Sequence, residues 1–186
     1  MNKCGRLYMI SGPSGVGKGT VCRKLFECRS DIFFSVSATT RKPRKEDAEG
    51  VTYYFKTRDE FEKLIKEGAF LEWAEYSGNY YGTLKAPVEE NLAKGKNVIL
   101  EIDVKGALKV KENYSEGIYI FIAPPDKEAL LNRLLGRGSE GKEEIKRRLS
   151  AAEEELKLQK EYDYVIINDS VESAAKKISE IMDKER

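Results

Sequence analysis

The sequence contains no histidine among its 186 residues. This absence excludes serine–histidine hydrolases, histidine-ligated zinc enzymes and histidine phosphocarriers, because each of them needs an imidazole. Phosphoryl transfer remains open, since it depends on positioning and charge neutralisation more than on a general base.

Cysteine is scarce, and the three residues present, Cys4, Cys22 and Cys28, have no paired metal-ligand spacing. No apolar run approaches the length that spans a bilayer, and Met1 to Arg6 lack the apolar region of a signal peptide. We therefore expect a reduced, cytoplasmic protein. The net charge of +1 creates no global field that would favour nucleic acid or an anionic membrane, so we expect neither as a partner.

The chain has the length and composition of one compact domain, with 40% hydrophobic and 35% charged residues. Four segments rich in β-branched or aromatic residues are candidate buried strands: Leu7–Ile10, Val98–Ile102, Ile118–Ile122 and Tyr164–Ile167. Helical patterns alternate with them, which is typical of a parallel sheet covered by helices on both faces. The sequence therefore predicts an α/β fold.

Two helix starts are visible from local spacing. Thr57 and Glu60 have the spacing of a capping box, in which each side chain accepts a backbone N–H of the other residue. Asp126 precedes a helical pattern that carries Leu130 and Leu134, and we expect its carboxylate to cap that helix.

A glycine-rich segment, Ser11–Thr20, lies between the first apolar segment and a helical pattern. Strand, glycine-rich loop and helix together indicate a phosphate-binding loop, although a glycine-rich surface turn is the alternative. Three glycines can adopt the angles that turn N–H groups around an anion: Gly12, Gly15 and Gly17. Lys18 adds a charge for the β- and γ-phosphates. Gly19 stands where a hydroxyl normally follows the lysine and Thr20 comes one later, so the group that meets a magnesium ion stays open.

Residues 32–81 carry many tyrosines, arginines and glycines, and they are too numerous for a simple connection. We predict an inserted subdomain that carries a second substrate. Arg41 and Arg44 are three residues apart, and paired guanidinium groups suit a phosphate dianion, with a solvated basic turn as the alternative. Tyr53 and Tyr81 could donate hydroxyls to the same phosphate or pack as aromatic rings.

Three acidic residues are candidates for ligand binding. Glu101 and Asp103 are two apart at the carboxyl end of a predicted strand, so we expect them on one face where open α/β sheets bind ligands. Glu72 is a further acid in an apolar setting. The alternative for Glu101 is a strand-edge carboxylate that reaches solvent.

Arginines cluster around several glycines in the last third of the chain, at Arg133, Arg137, Arg147 and Arg148. Arginines on a mobile cover could close over a transferring phosphate. An ordinary solvated helix face is the alternative.

These segments resemble the guanylate kinase family in order and spacing, over nearly the whole chain. The resemblance rests on Gly12–Thr20, Ser37–Arg44, Glu72–Ala74, Ser77–Thr83, Leu100–Asp103, Ile122–Pro125 and Ile167–Asp169. It implies a P-loop NTPase-type α/β core and magnesium-dependent transfer of the γ-phosphoryl group of ATP to GMP or dGMP. It also implies three parts: a core of residues 1–32, 98–125 and 159–186, a GMP-binding insert of residues 33–97, and a mobile lid of residues 126–158.

The resemblance further implies the site residues, position by position. The ATP-binding set would be Gly12, Pro13, Ser14, Gly15, Val16, Gly17, Lys18, Gly19, Thr20 and Asn168. The GMP phosphate would meet Arg41, Arg44, Tyr53 and Tyr81, and the base would meet Ser37, Glu72, Thr83 and Glu101, with Asp103 nearby. The catalytic set would be Lys18, Arg41, Arg133, Arg137 and Arg148. Thr20 and Asp103 would meet Mg²⁺, directly or through water.

Two other functions stay open. Guanylate-kinase-like modules of scaffold proteins bind phosphorylated peptides, but they generally lack the intact phosphate loop that Lys18 completes here. A related kinase could act on another phosphorylated acceptor such as a ribose bisphosphate, but such an acceptor has no base for Glu72 and Thr83 to read. Monomer and homo-oligomer are both compatible with the sequence.

Overall fold

The computed structural model describes residues 4–76, 78–135 and 142–185. The strands are β1 (Leu7–Ser11), β2 (Ile32–Phe34), β3 (Ala38–Thr39), β4 (Tyr54–Phe55), β5 (Phe70–Tyr76), β6 (Asn79–Leu84), β7 (Asn97–Glu101), β8 (Ile118–Ala123) and β9 (Tyr164–Ile167). The helices are α1 (Lys18–Cys28), α2 (Arg58–Lys66), α3 (Lys85–Ala93), α4 (Val104–Asn113), α5 (Lys127–Leu135), α6 (Lys142–Lys157) and α7 (Val171–Lys184), and a 3-10 helix covers Leu158–Glu161.

A five-stranded parallel sheet in the order β2-β7-β1-β8-β9 forms the centre of the molecule. Every residue of β1 and β8 is buried, because helices cover both faces of the sheet. Tyr8 and Ile10 belong to the cluster packed by α1 and α7, whereas Leu7 and Met9 belong to the cluster packed by α3 and α4. The predicted α/β fold is confirmed.

The edge strand β2 was not among the predicted strands. It has only three residues, and it pairs in parallel with β7, with Ile32 opposite Asn97 and Phe33 opposite Val98. Both ends of the predicted insert, residues 33–97, therefore lie in the central sheet. A strand this short has too few residues for its hydrophobic periodicity to be visible.

A second, four-stranded sheet in the order β4-β3-β6-β5 lies within the insert. Helix α2 packs on it through Phe61, whose ring lies 4.4 Å from that of Phe70 and 5.3 Å from that of Tyr80. The predicted capping box starts this helix, since Thr57 and Glu60 accept each other's backbone N–H groups. The insert thus has a small core of its own.

The turn from β7 into α4 differs from the prediction. Strand β7 ends at Glu101, and Asp103 is the N-cap of α4, with its Oδ1 accepting the Gly106 N–H at 2.6 Å. The prediction that Glu101 and Asp103 share one strand face is wrong, because the carboxylate of an N-cap residue turns toward the helix it caps.

The helix after β8 starts as predicted. Asp126 precedes α5, and its Oδ1 accepts the N–H of Ala129 at 2.7 Å. Along the three ranges given above, no helix combines the length and the apolar character that a membrane crossing requires.

Candidate active site

The phosphate loop connects β1 to α1 at the carboxyl edge of the central sheet. Gly17 precedes α1 with φ of 96°, a conformation that favours glycine, and it offers no side chain to the first turn of the helix. The N–H groups of that turn can therefore bind an anion. Gly12 is required for close packing, because a Cβ there would lie 2.2 Å from the Ile122 carbonyl oxygen.

Lys18 folds back over the loop that precedes it. Its Nζ donates to the carbonyl oxygens of Gly12 at 2.6 Å and Pro13 at 3.3 Å. Burial lowers the pKa of Lys18, while the carboxylates of Glu101 and Glu155 act in the opposite direction. The ammonium group is thus held at the centre of the loop, among carboxylates that favour its charged form.

Two arginines of the predicted catalytic set contact the phosphate loop. Arg133 donates to the carbonyl oxygens of Val16 at 2.9 Å and Asn168 at 2.8 Å. Arg148 donates to the Ser14 hydroxyl at 2.8 Å. Another arginine of that set, Arg137, lies outside the described residues.

Asn168 is buried behind the loop and follows β9. Its Nδ2 donates to the Val16 carbonyl oxygen at 2.8 Å. Its Oδ1 is buried and has no hydrogen-bond partner within the part of the chain that the structure covers. A buried acceptor without a donor is costly, so this atom suits a ligand that brings an N–H group.

Glu101 lies beside the start of α1. Its Oε1 would be 3.3 Å from a Cβ added at Gly19, so a side chain at position 19 would press on the carboxylate. Burial raises the pKa of Glu101, and the charges of Lys18 and Arg23 oppose this shift. Gly19, which departs from the usual motif, therefore leaves room for the Glu101 carboxylate.

The insert brings together three of the predicted phosphate ligands. The Arg41 guanidinium lies 5.3 Å from the ring centroid of Tyr53, and the Tyr53 ring lies 6.0 Å from that of Tyr81. Arg44 is exposed on the same turn. Asp47 accepts hydrogen bonds from both arginines of the turn. The sequence-based prediction did not include this residue, although an acidic side chain among basic ones is a visible signal.

Ser37 and the residues around it start the insert's sheet. Ser37 is partly buried directly before β3, and its carbonyl oxygen accepts the Tyr54 N–H at 2.9 Å. This bond continues the parallel pairing of β3 with β4, and it places Ser37 at the amino end of β3.

Glu72 and Thr83 lie opposite each other in the antiparallel pair of β5 and β6. The Thr83 hydroxyl donates to Oε1 of Glu72 at 2.8 Å, and Oε2 would lie 3.2 Å from a Cβ at Gly106. Burial raises the pKa of Glu72 to about 7; Thr83 opposes the shift, the Asp103 charge adds to it and Lys109 opposes it. Sequence reasoning missed Gly106, whose role depends on contact between α4 and β5.

A family model described as Guanylate kinase matches residues 4–185. The chain belongs to the guanylate kinase family. Guanylate kinase of Lactococcus lactis subsp. lactis (strain IL1403) is 51% identical over 185 residues, which cover 100% of this chain and 90% of that protein. Guanylate kinase of Clostridium acetobutylicum is 53% identical over 186 residues, with 100% and 88% covered.

Solved structures give the same result for the fold. The crystal structure of guanylate kinase from Anaplasma phagocytophilum has a TM-score of 0.80 and 39% identity, and covers 99% of this chain and 87% of that one. A shikimate kinase from Bacteroides thetaiotaomicron, with a TM-score of 0.54 and 17% identity, shares the fold alone. The resemblance to guanylate kinases, the P-loop kinase fold and the enzyme class, an ATP-using kinase, are confirmed.

Helix α4 connects the central sheet to the insert. Its cap Asp103 follows β7 of the central sheet, while Gly106 in its first turn lies against Glu72 of the insert. Further along the helix, Lys109 donates to the Trp73 carbonyl oxygen at 3.3 Å. Helix α4 therefore joins the carboxyl end of β7 to the strand that carries Glu72.

Proposed function

We propose that this protein transfers the γ-phosphoryl group of ATP to GMP or dGMP, giving ADP and GDP or dGDP. The observation that carries this proposal is the presence of an intact phosphate loop together with the hydrogen-bonded pair of Glu72 and Thr83. The loop suits a nucleoside triphosphate, and the carboxylate suits a base that offers two N–H donors side by side.

ATP would occupy the phosphate loop. The N–H groups of Gly12–Thr20 that turn inward would surround its phosphates, with Lys18 moving from the Gly12 carbonyl oxygen to the β- and γ-phosphates. Asn168 would lie near the adenine, and its unpartnered Oδ1 supports this placement.

The phosphate of GMP would bind at the turn of the insert. Arg41 and Arg44 would supply charged N–H donors, and Tyr53 and Tyr81 would add hydroxyl donors. The proximity of the Arg41 guanidinium to the Tyr53 ring supports this grouping. Each arginine can bind two phosphate oxygens in a plane, which a lysine cannot do.

The guanine base would bind at Glu72 and Thr83, with Ser37, Glu101 and Asp103 completing the site. Guanine offers its N1–H and its exocyclic amine as donors, which the two oxygens of a carboxylate can accept together. Adenine presents an acceptor at N1 and no amine at C2, which would leave Glu72 unpaired. Sites built on such hydrogen bonds reject the wrong ligand by about 10⁴-fold.

The transfer requires positioning and charge neutralisation rather than a general base. The phosphate of GMP is ionised at neutral pH, because its second pKa is about 6, so its oxygen can attack in line without losing a proton to the protein. Arg133 and Arg148, which already contact the phosphate loop, would neutralise the charge that spreads over the γ-phosphate, together with Arg137. The absence of histidine agrees with this chemistry.

A three-part organisation would allow the site to close around its substrates. We propose that residues 33–97 act as the GMP-binding insert and residues 126–158 as a mobile lid. Arg148 of α6 bonding to Ser14 at 2.8 Å is consistent with a lid that meets the phosphate loop. Closing would exclude water, which strengthens the electrostatic contacts and prevents hydrolysis of ATP.

Mg²⁺ fits the oxygen donors of this site. The described residues contain no cluster of three acidic, cysteine or histidine side chains that could hold a metal alone. That agrees with Mg²⁺, which keeps several waters and binds through substrate phosphates with one or two protein oxygens. The Thr20 hydroxyl and the Asp103 carboxylate would hold it, directly or through water. When bound, the ion neutralises charge on the β- and γ-phosphates.

We also propose that the protein works in the cytoplasm on small-molecule substrates, as monomer or homo-oligomer, without nucleic acid or membrane as partners. The thiols of Cys4, Cys22 and Cys28 are free, which suits a reducing compartment. The near-neutral charge balance supports the absence of a polyanionic partner.

An ADP-coupled assay with ATP, Mg²⁺ and a panel of GMP, AMP, CMP and UMP tests the function. We expect turnover with GMP alone. If the folded protein binds GMP or a phosphopeptide but turns over none of the four nucleotides, the activity is refuted and the binding-module interpretation is favoured.

A further inference from the structure

The carboxylate of Asp47 lies inside the turn that carries Arg41 and Arg44. Its Oδ2 accepts the Arg44 backbone N–H at 2.6 Å and forms an ion pair with Nη2 of Arg41 at 2.9 Å. The Asp47 N–H donates to the Arg44 carbonyl oxygen at 3.1 Å, which closes the turn. The Asp47 side chain is only 8% exposed, and a carboxylate this buried requires such partners.

Arg41 is held from several sides. Its guanidinium lies over the Tyr53 ring at 5.3 Å and the Phe55 ring at 5.9 Å, and its Nη1 donates to the Lys42 carbonyl oxygen at 3.0 Å. A guanidinium has five N–H donors in a rigid plane, so it can bind Asp47 and a phosphate at the same time. Because Asp47 pairs with Nη2 of Arg41, it determines which N–H groups of the guanidinium remain for the phosphate.

A carboxylate beside a binding site for a phosphate dianion needs an explanation, because like charges repel. The Arg44 N–H and the Arg41 guanidinium lower the pKa of Asp47 against the opposing effect of burial, so the group is ionised. The Asp47 carboxylate could act as a holder, which stays bound to Arg41 and orients it while the phosphate binds. Alternatively it could act as a competitor, which the phosphate displaces from Arg41. The bond to the Arg44 backbone favours the holder, since it anchors the carboxylate to the turn itself.

We propose that Asp47 is a positioning residue of the GMP phosphate site, which orients the Arg41 guanidinium and the Arg44 turn for the phosphate. This inference rests on the proposed function, because it assigns the phosphate of GMP to these arginines. It adds a residue that does not itself touch the substrate and acts through Arg41.

The test is the steady-state kinetics of Asp47→Asn, with the neighbouring exposed acid changed in Glu46→Gln as a matched control. For a holder, KM for GMP rises about tenfold while KM for ATP changes by less than about twofold, as expected for loss of one charge-assisted contact. For a competitor, removing the charge lowers KM for GMP. A fall or no change in this constant overturns the proposal, as does an equal rise in Glu46→Gln.

A double-mutant cycle shows whether the effect passes through Arg41. If it does, Asp47→Asn adds little to the loss caused by Arg41→Met, whereas independent effects multiply. Multiplied losses overturn the proposal. Should Asp47→Asn fail to fold, as judged by its melting curve, the same cycle is run with Asp47→Glu, which keeps the charge but moves the oxygens.

The wild-type protein separates this inference from the proposed function. If it does not phosphorylate GMP, the proposed function fails. If it does so, and Asp47→Asn leaves KM for GMP unchanged, only the role of Asp47 fails.

Discussion

The Thr83 hydroxyl donates a 2.8 Å hydrogen bond to Oε1 of Glu72, from directly across the antiparallel pair of β5 and β6. The bond orients a carboxylate whose pKa burial has raised to about 7. An acid in this setting accepts a proton easily when the site is empty, and it gains most from a ligand that offers two N–H donors.

Replacing Glu72 by Gln is expected to damage GMP use selectively. The amide keeps the size of the side chain but presents an N–H group toward the guanine donors, so we expect kcat/KM for GMP to fall by about 10²- to 10⁴-fold. KM for ATP should change by less than about twofold, because the phosphate loop is untouched. Glu75→Gln, an exposed change in the same strand, is the control. Equal losses for both substrates would contradict the assignment of Glu72 to guanine.

The affinity for GMP is expected to decrease as the pH falls through 7. Glu72 has a pKa of about 7 in the free protein instead of 4.5, so below pH 7 it holds a proton that guanine binding must remove. KM for GMP should then rise by up to about tenfold per pH unit. Protonation of the GMP phosphate, whose second pKa is about 6, adds a separate effect.

The pH series is repeated with Glu72→Gln, which cannot titrate at this position. The difference between the two profiles isolates the carboxylate, since the titration of GMP is common to both. Parallel profiles would show that Glu72 does not titrate in this range.

Titration of Glu72 also affects the stability of the fold. Because the pKa of Glu72 is higher in the folded than in the unfolded protein, the free energy of unfolding of the free protein decreases as the pH rises from 4.5 through 7.

Lys18→Met is expected to lower kcat/KM by about 10²- to 10³-fold, as found when a preorganised charge at a transition state is removed. GMP binding, measured by calorimetry without ATP, should be unaffected. Lys24→Met, on the same helix and paired with Glu27 at 3.2 Å, is the control and should retain nearly full activity. Turnover near that of the wild type in Lys18→Met would refute its role.

Gly106→Ala tests the space behind the guanine carboxylate. The new Cβ would lie 3.2 Å from both Glu72 Oε2 and Asp103 Oδ1, so one of the two must move by a few tenths of an ångström. We expect KM for GMP to rise about three- to thirtyfold, while the melting temperature stays the same or increases because Ala favours the helix by about 0.5–1 kcal/mol.

Lys105→Ala, in the same turn of α4, serves as the control for Gly106→Ala. It improves helix propensity less and adds no atom near Glu72, so KM for GMP should remain within about twofold of the wild type. If Gly106→Ala behaves in the same way, the contact with Glu72 has no effect on the base.

Local patterns in the sequence were enough for the parts of the molecule that depend on neighbouring residues. The phosphate loop, the capping box of Thr57 and Glu60 and the cap at Asp126 each follow from spacing within a few residues. The buried strands β1 and β8 follow from unbroken apolar runs, because a strand covered on both faces has no polar side. The family resemblance was visible for the same reason, since it rests on short motifs in a given order.

The tertiary structure decided what depends on residues far apart in the chain. It placed β2 in the central sheet through pairing with β7, and it turned Asp103 into a helix cap. It brought Gly106 against Glu72, and it set the Asp47 carboxylate between two arginines. Burial, and with it the raised pKa of Glu72, arises only when separate elements pack together, because no single segment can exclude water from its own side chains.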